Sequence, residues 1–178
     1  MLVKNTTYFF LVIILGLVAI GCKKAPNYGK EPVIEFDNLK VTTDYADLVD
    51  SVRISIKFQD GDGDLGNDPV VASYFDFFVD LYKKKNGVYT RVDYYDTIPP
   101  GYNGYMPLLS PYTLTGPIDG KITYITPPFL APLPGHAYPT TYPYKKDDTL
   151  QFHVRIRDRA GNYSNWVESE DYIVWKNF

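Results

Sequence analysis

The stretch Asp60-Gly61-Asp62-Gly63-Asp64-Leu65-Gly66-Asn67-Asp68 puts four carboxylates into nine residues, the first three at alternate positions. Glycines between them let the backbone fold tightly and crowd the charges further. Crowded carboxylates repel one another. A hard divalent cation removes that repulsion, and Ca2+ takes roughly six to eight oxygen ligands of this kind. A second acidic turn lies far away in sequence, Asp158-Arg159-Ala160-Gly161-Asn162. The candidate metal ligands are therefore Asp60, Asp62, Asp64, Asp68, Asp158 and Asn162, with Ca2+ in a structural role as the expected cofactor. A competing reading needs no metal. Asp-Gly runs are plain turn formers, because Asp bonds its own backbone and Gly accepts positive φ. Asp158 then only caps a turn, and Arg159 neutralises the cluster.

The spacing resembles the start of an EF-hand loop but departs from it twice. Leu65 stands where the invariant Gly belongs, and no Glu closes the loop. Other chemistry has thin support. The two histidines, His136 and His153, fall in a Pro-rich segment and in an alternating run. No Gly-x-Ser-x-Gly or His-Glu-x-x-His is present, and the many aspartates offer no assignable glycosidase pair. The expectation is a protein that is not an enzyme. Tyr102, Tyr105 and Tyr112 are the candidate ligand contacts, with Tyr138, Tyr142 and Tyr144 in similar surroundings. Rings with a hydroxyl handle suit interfaces and can stack on sugars. They can equally pack loops onto a core. Trp166 and Trp175 read as core or rim packing.

The elements that would position these residues are strands. Val52, Ile54, Ile56 and Phe58 alternate with Ser51, Arg53, Ser55 and Lys57, so period two gives Asp50–Gln59 a core face and a water face. The same pattern predicts strands over 32–41, 73–84, 88–95, 120–126, 149–158 and 171–176. In the third, Phe75, Phe77, Val79 and Leu81 share one face, while Tyr74, Asp76, Phe78, Asp80 and Tyr82 share the other. Asn86-Gly87 marks a type I′ hairpin turn. Two long segments rich in Pro, Gly and Tyr, 97–119 and 127–148, interrupt the series. Loops of that length tend to be functional or disordered, and their aromatics favour ordered packing. About seven short strands without helical periodicity predict an all-β, immunoglobulin-like β-sandwich over 32–178, with a small barrel as the alternative. In such a sandwich the loops after the second and sixth strands share one end, which would bring Asp158 and Asn162 towards Asp60, Asp62 and Asp64.

The N-terminus supplies an address. Lys4 precedes an apolar run, Phe9–Ile20, broken only by Gly16 and too short to span a bilayer, which takes ~20 residues. Ala19-Ile20-Gly21-Cys22 follows and resembles the lipobox of bacterial lipoproteins. That resemblance implies cleavage before Cys22 and acylation of its sulfur, with residues 1–21 as signal peptide and 22–31 as a polar tether. An ordinary secretory signal with an incidental cysteine is the other reading. Cys22 is the only cysteine, so acylation leaves no thiol for a disulfide, a metal or a nucleophile. Removing 1–21 leaves 157 residues with 17 basic and 21 acidic side chains, a balance that disfavours nucleic acid.

Taken together, the lipobox, Phe58-Gln59-Asp60-Gly61-Asp62-Gly63-Asp64-Leu65-Gly66 and Asp158-Arg159-Ala160-Gly161-Asn162 resemble Bacteroidota-type lipoproteins with an Ig-like domain. The resemblance covers most of the chain after Cys22 and implies a lipid-anchored place in the cell envelope, at the outer membrane. It also implies O-glycosylation at Asp-Ser/Thr-apolar triplets, which here hold Ser51, Thr97 and Thr149. The expected function is an envelope binding or interaction module, Ca2+-stabilised. Its expected partners are the membrane, through the anchor, and envelope proteins or glycans. The alternatives are a glycan-binding accessory lipoprotein for nutrient uptake and a hydrolase.

Overall fold

Among the described residues, the alternation of 50–59 and 149–156 becomes strand. The structure, a computed structural model, describes residues 26–68, 74–92, 102–130 and 144–176. Among the described residues nine strands run in the order β1 (Val33–Asp44), β2 (Val49–Asp60), β3 (Phe77–Lys85), β4 (Val88–Arg91), β5 (Ile118–Ile125), β6 (Phe129–Leu130), β7 (Thr149–Ile156), β8 (Val167–Glu168) and β9 (Tyr172–Ile173). They form two antiparallel sheets of a β-sandwich. One has the order β1-β2-β5, with β6 also on β2, and the other β4-β3-β7-β8, with β9 also on β7. The described residues contain no helix, hence none long and apolar enough to cross a membrane.

Val52, Ile54, Ile56 and Phe58 of β2 face Phe77, Val79 and Leu81 of β3 and Leu150, Phe152, Val154 and Ile156 of β7 in a single buried cluster. Lys85 and Val88 close the β3–β4 hairpin around Asn86 (φ 52°) and Gly87 (φ 81°), as a type I′ turn requires. The three two-residue strands are too short to show a period. β6 and β8 leave no signal in the sequence, and β9 is a fragment of the expected 171–176. The returning strand pairs only to Arg91; the expected continuation to Tyr95 lies outside the described residues.

β3 starts four residues later than its pattern predicts. Residues 74–76 leave the ladder because the segment around Gly104 occupies that edge: Asp76 N and Phe77 N both donate to Gly104 O (3.2 and 3.1 Å), and Gly104 N donates to Phe77 O (2.8 Å). Asp76, grouped by its phase on the face opposite Phe77 and Val79, is fully buried. Its carboxylate accepts from Met106 N (2.5 Å) and from Asn67 Nδ2 (3.4 Å). The long segment expected after Thr97 is thus packed into the domain from residue 102 on, with Tyr102 and Met106 in the core. At the other end of the sandwich Phe129 is the hub of an aromatic cluster, with Tyr102, Tyr144, Phe152 and Tyr172 at 5.0–6.1 Å between ring centroids. Buried Asp50 accepts from Tyr172 Oη (2.8 Å), Trp175 N (3.2 Å) and Thr43 Oγ1 (2.7 Å).

Burial pushes the Asp76 carboxyl up to about 6, against the opposing pull of its two donors. The folded state therefore holds this proton more tightly than the unfolded chain, whose value is near 3.8. The penalty of the buried charge is complete above pH 6 and is relieved as pH falls from 6 to 4. At ~1.4 kcal/mol per pH unit the relief is of order 3 kcal/mol. Urea unfolding in EDTA at pH 7 and pH 4.5 should show wild type gaining about 2 kcal/mol of stability relative to Asp76→Asn on acidification, about two-thirds of the full relief. Equal gains in the two proteins would mean that Asp76 is ionised without penalty.

Candidate metal centre

On both β2 and β7 the even-numbered positions point inward, and each strand continues that phase one step past its last apolar residue. The next inward residues are Asp60, which closes the β2–β5 register opposite Ile118, and Asp158, which pairs with Leu65 just beyond β7. Both are 0 % exposed. The loop after β2 then turns back over them. Gly63 sits at φ 71°, and a Cβ there would lie 2.3 Å from Gly116 O, so only glycine fits. Gly116 N donates to Asp62 O (3.1 Å) and Arg159 N to Asp64 O (3.1 Å), tying the loop to two other segments.

Asp60, Asp62, Asp64 and Asp158 each bring one carboxylate oxygen within 4.8 Å of the others. Two of the four have one oxygen committed to shaping the loop: Asp60 Oδ2 accepts from Asp64 N (3.0 Å), and Asp64 Oδ2 from Ala160 N (2.9 Å). The remaining oxygens, Asp60 Oδ1 and Asp64 Oδ1, together with Asp62 Oδ1, are sealed from solvent and have no hydrogen-bond partner. Buried carboxylate oxygens without donors are costly. Burial first, and then the neighbouring charges of Asp62, Asp64 and Asp158, push Asp60 up to about 6, against the donor from Asp64 N. Asp64 is raised by burial and by Asp158 and Asp62. The group can therefore take up protons or hold a cation. It offers oxygen ligands only, so it suits a hard ion rather than one that prefers nitrogen or sulfur.

Neutralisation by Arg159 alone does not describe this site. Its guanidinium donates to the carbonyls of Leu65 (3.2 Å) and Gly66 (3.0 Å) and lies 4.8 Å from the Tyr112 ring, with no ion pair to any of the four carboxylates. Asn162 supports rather than joins the group. Its N donates to Asp158 Oδ1 (2.7 Å) and its Nδ2 to Asp158 Oδ2 (2.8 Å). Asp68 stands outside the four; its N donates to Tyr112 Oη (3.3 Å).

The other expected contacts divide. Tyr102 is 2 % exposed, stacked on Phe129 and edge-on to Phe152, so it has no surface to offer a ligand. Tyr144 is likewise buried, whereas Tyr105 and Tyr112 are exposed. Ser51 and Thr149 are half-buried near the starts of β2 and β7. Cys22, Thr97, His136, Tyr138 and Tyr142 lie outside the described residues.

One constellation escaped the sequence reading. Arg155, on the outer face of β7, and Arg157, just past its end, interleave with rings in the order Tyr74, Arg157, Tyr163, Arg155, Trp166. Guanidinium-to-centroid distances are 4.6 and 5.5 Å for Arg157 and 4.2 and 4.6 Å for Arg155. The arginines were legible as outward-facing, but the rings come from two irregular segments without periodicity. No protein-family model, curated protein or solved structure matches the chain.

The loop also grips the segment that leads to the N-terminus. Gly61 N donates to Gly29 O (2.8 Å), and Tyr28 Oη donates to Asp119 Oδ1 (3.3 Å). A Cβ at Gly61 would lie 2.4 Å from Gly29 O and 2.5 Å from Tyr28 O. Gly61→Ala should therefore lever residues 28–29 off the loop. The expected result is a loss of ~1–2 kcal/mol in urea melts and faster limited proteolysis at Tyr28–Lys30. Wild-type cleavage kinetics would show that this contact does not hold the segment.

Proposed function

We propose that this chain is a lipid-anchored binding module of the bacterial cell envelope, stabilised by Ca2+ held by Asp60, Asp62, Asp64 and Asp158. The observation that carries the metal is the set of three sealed, donor-free Oδ1 atoms beside a fourth buried carboxylate. Ca2+ is favoured over Mg2+ by dimensions. Oxygens within 4.8 Å of one another match the spread of ligands about 2.4 Å from a common centre, whereas Mg2+ asks for about 2.1 Å and near-ideal octahedral geometry. The ion's role in this reading is structural. It joins the end of β2, the loop that follows it and the turn after β7, and no nucleophile stands beside it among the described residues.

The lipid anchor rests on the apolar run 9–20 and Ala19-Ile20-Gly21-Cys22. The immunoglobulin-like reading of the sandwich is supported by strand order, β1-β2-β5 in one sheet and β4-β3-β7 in the other. A binding rather than catalytic role fits a chain whose acidic cluster keeps three of its carboxylate oxygens sealed from solvent.

Two measurements test this reading. Ca2+ at about 100-fold over its dissociation constant should stabilise the fold by about 2.7 kcal/mol, or ~5–10 °C in Tm at this size. EDTA should reverse the shift, and the pair Asp62→Asn with Asp64→Asn should abolish it. A wild-type melt indifferent to both Ca2+ and EDTA would remove the metal. In the native host, Cys22→Ser should move the protein from the membrane to the soluble fraction. Retention in the membrane would remove the anchor.

A further inference from the structure

The outer face of the β4-β3-β7-β8 sheet carries a stack for which the metal centre has no use. Arg155 is flanked by Tyr163 and Trp166, with Phe78 at 5.4 Å, and Arg157 by Tyr74 and Tyr163. In a chain of net charge −3, neither guanidinium has a carboxylate partner among the described residues. The other described arginines are engaged: Arg53 on Thr42, Arg91 on Asp80 and Arg159 on two carbonyls. Only the Nε atoms of Arg155 and Arg157 are sealed without a partner, so their terminal nitrogens reach solvent.

We propose that this stack is a binding site for a uronate-bearing polysaccharide, with Arg155 and Arg157 holding carboxylates and Tyr163 and Trp166 serving as platforms for sugar rings. A guanidinium whose faces are covered by aromatic rings is held rigid and can donate only from its edges. Edge-on, its paired N–H groups match the two oxygens of a carboxylate. Stacking fixes that edge before the ligand arrives, which lowers the ordering cost of binding. Two such edges come from residues two apart along extended backbone, a spacing of about 7 Å between their Cα atoms, so they suit a polymer with repeating carboxylates better than a single small anion. Tyr163 and Trp166 are each 42 % exposed although both rings cover an arginine. Their open surface can take the C–H face of a pyranose.

The patch is bounded as well as positive. One rung along, Asp80 and Glu168 flank His153, whose ring is stacked on Tyr82 at 3.8 Å. Asp80 is already paired with Arg91, and Glu168 disfavours a polyphosphate, whose charges are packed more densely than one carboxylate per sugar ring. The stack does not require the metal, because Asn162 holds the turn that carries Tyr163 by its two hydrogen bonds to Asp158.

Affinity electrophoresis in EDTA at low salt, with polygalacturonate in the gel, separates this site from the Ca2+ reading. Wild type should be retarded by polygalacturonate and not by fully methyl-esterified pectin or dextran. The double variant Arg155→Gln with Arg157→Gln should bind at least tenfold more weakly. Because that pair could loosen the sheet face, Trp166→Ala serves as the outermost rung. It should weaken binding several-fold with little change in Tm. Lys84→Gln with Lys85→Gln removes equal charge elsewhere on the domain and should bind as wild type does. Absence of retardation, equal weakening in the lysine pair, or binding only to phosphatidylglycerol vesicles would each overturn the proposal.

Discussion

A carboxylate that continues the apolar phase of a strand has nowhere to go but inward. Asp60 and Asp158 do this on β2 and β7, and both end fully buried at one end of the sandwich. Two charges so placed, with Asp62 and Asp64 beside them, cost several kcal/mol unless a counter-charge or protons arrive. The local backbone is arranged around that problem. Donors from Asp64 N, Ala160 N and Asn162 occupy the outward oxygens, and glycine at 63 lets the loop close. Arg159 is turned to the Leu65 and Gly66 carbonyls, which keeps the loop shut without neutralising the cluster. The remaining deficit is one of positive charge, localised within a few ångströms.

That deficit sits where the fold most needs a tie. A sandwich without disulfides relies on its core and on the links between its sheets. The far end has such a link in neutral and singly charged form: Asp50 gathers Tyr172, Trp175 and Thr43, and the Trp175 indole donates to Phe129 O at 2.9 Å. There the single carboxylate is fully supplied with donors, and burial costs little. The acidic end gathers four carboxylates from a loop and a turn of different sheets, and its donors are too few. One end is thus closed by hydrogen bonds alone, while the other is incomplete without a proton or a cation.

Much of this was legible in the sequence, and what was missed has physical causes. The alternation in 51–58 and 149–156 gave the two central strands, and their even phase already pointed at Asp60 and Asp158. The Asn86-Gly87 turn demanded its own geometry. Period two put Asp76 on the face opposite Phe77 and Val79, but nothing local announces that the chain at Gly104 packs against it and buries it. That contact spans about 30 residues and has no local signature. Tyr102 looked like a loop aromatic for the same reason: nothing near it in sequence announces Phe129 and Phe152 as its neighbours. Asn162 was grouped with the ligands by residue type, and only its two donors to Asp158 reveal a supporting role.

The turn 158–163 shows how one short segment can serve both sides of a sheet. Period two sends Asp158 inward and Arg157 outward from adjacent residues. Arg157 pairs across the turn with Tyr163, and Gly161 at φ 98° allows the reversal between them. On the inner side the turn completes the acidic group; on the outer side it carries a ring of the arginine stack. Ser164 then locks the segment back onto β7, its N donating to Ile156 O and its Oγ accepting from Ile156 N, both at 3.0 Å. Those bonds, with the Asn162–Asp158 pair, are independent of any ion. The outer stack is therefore built on hydrogen bonds and ring contacts that persist whatever the charge state of the inner cluster, and the two features can be changed separately by mutation.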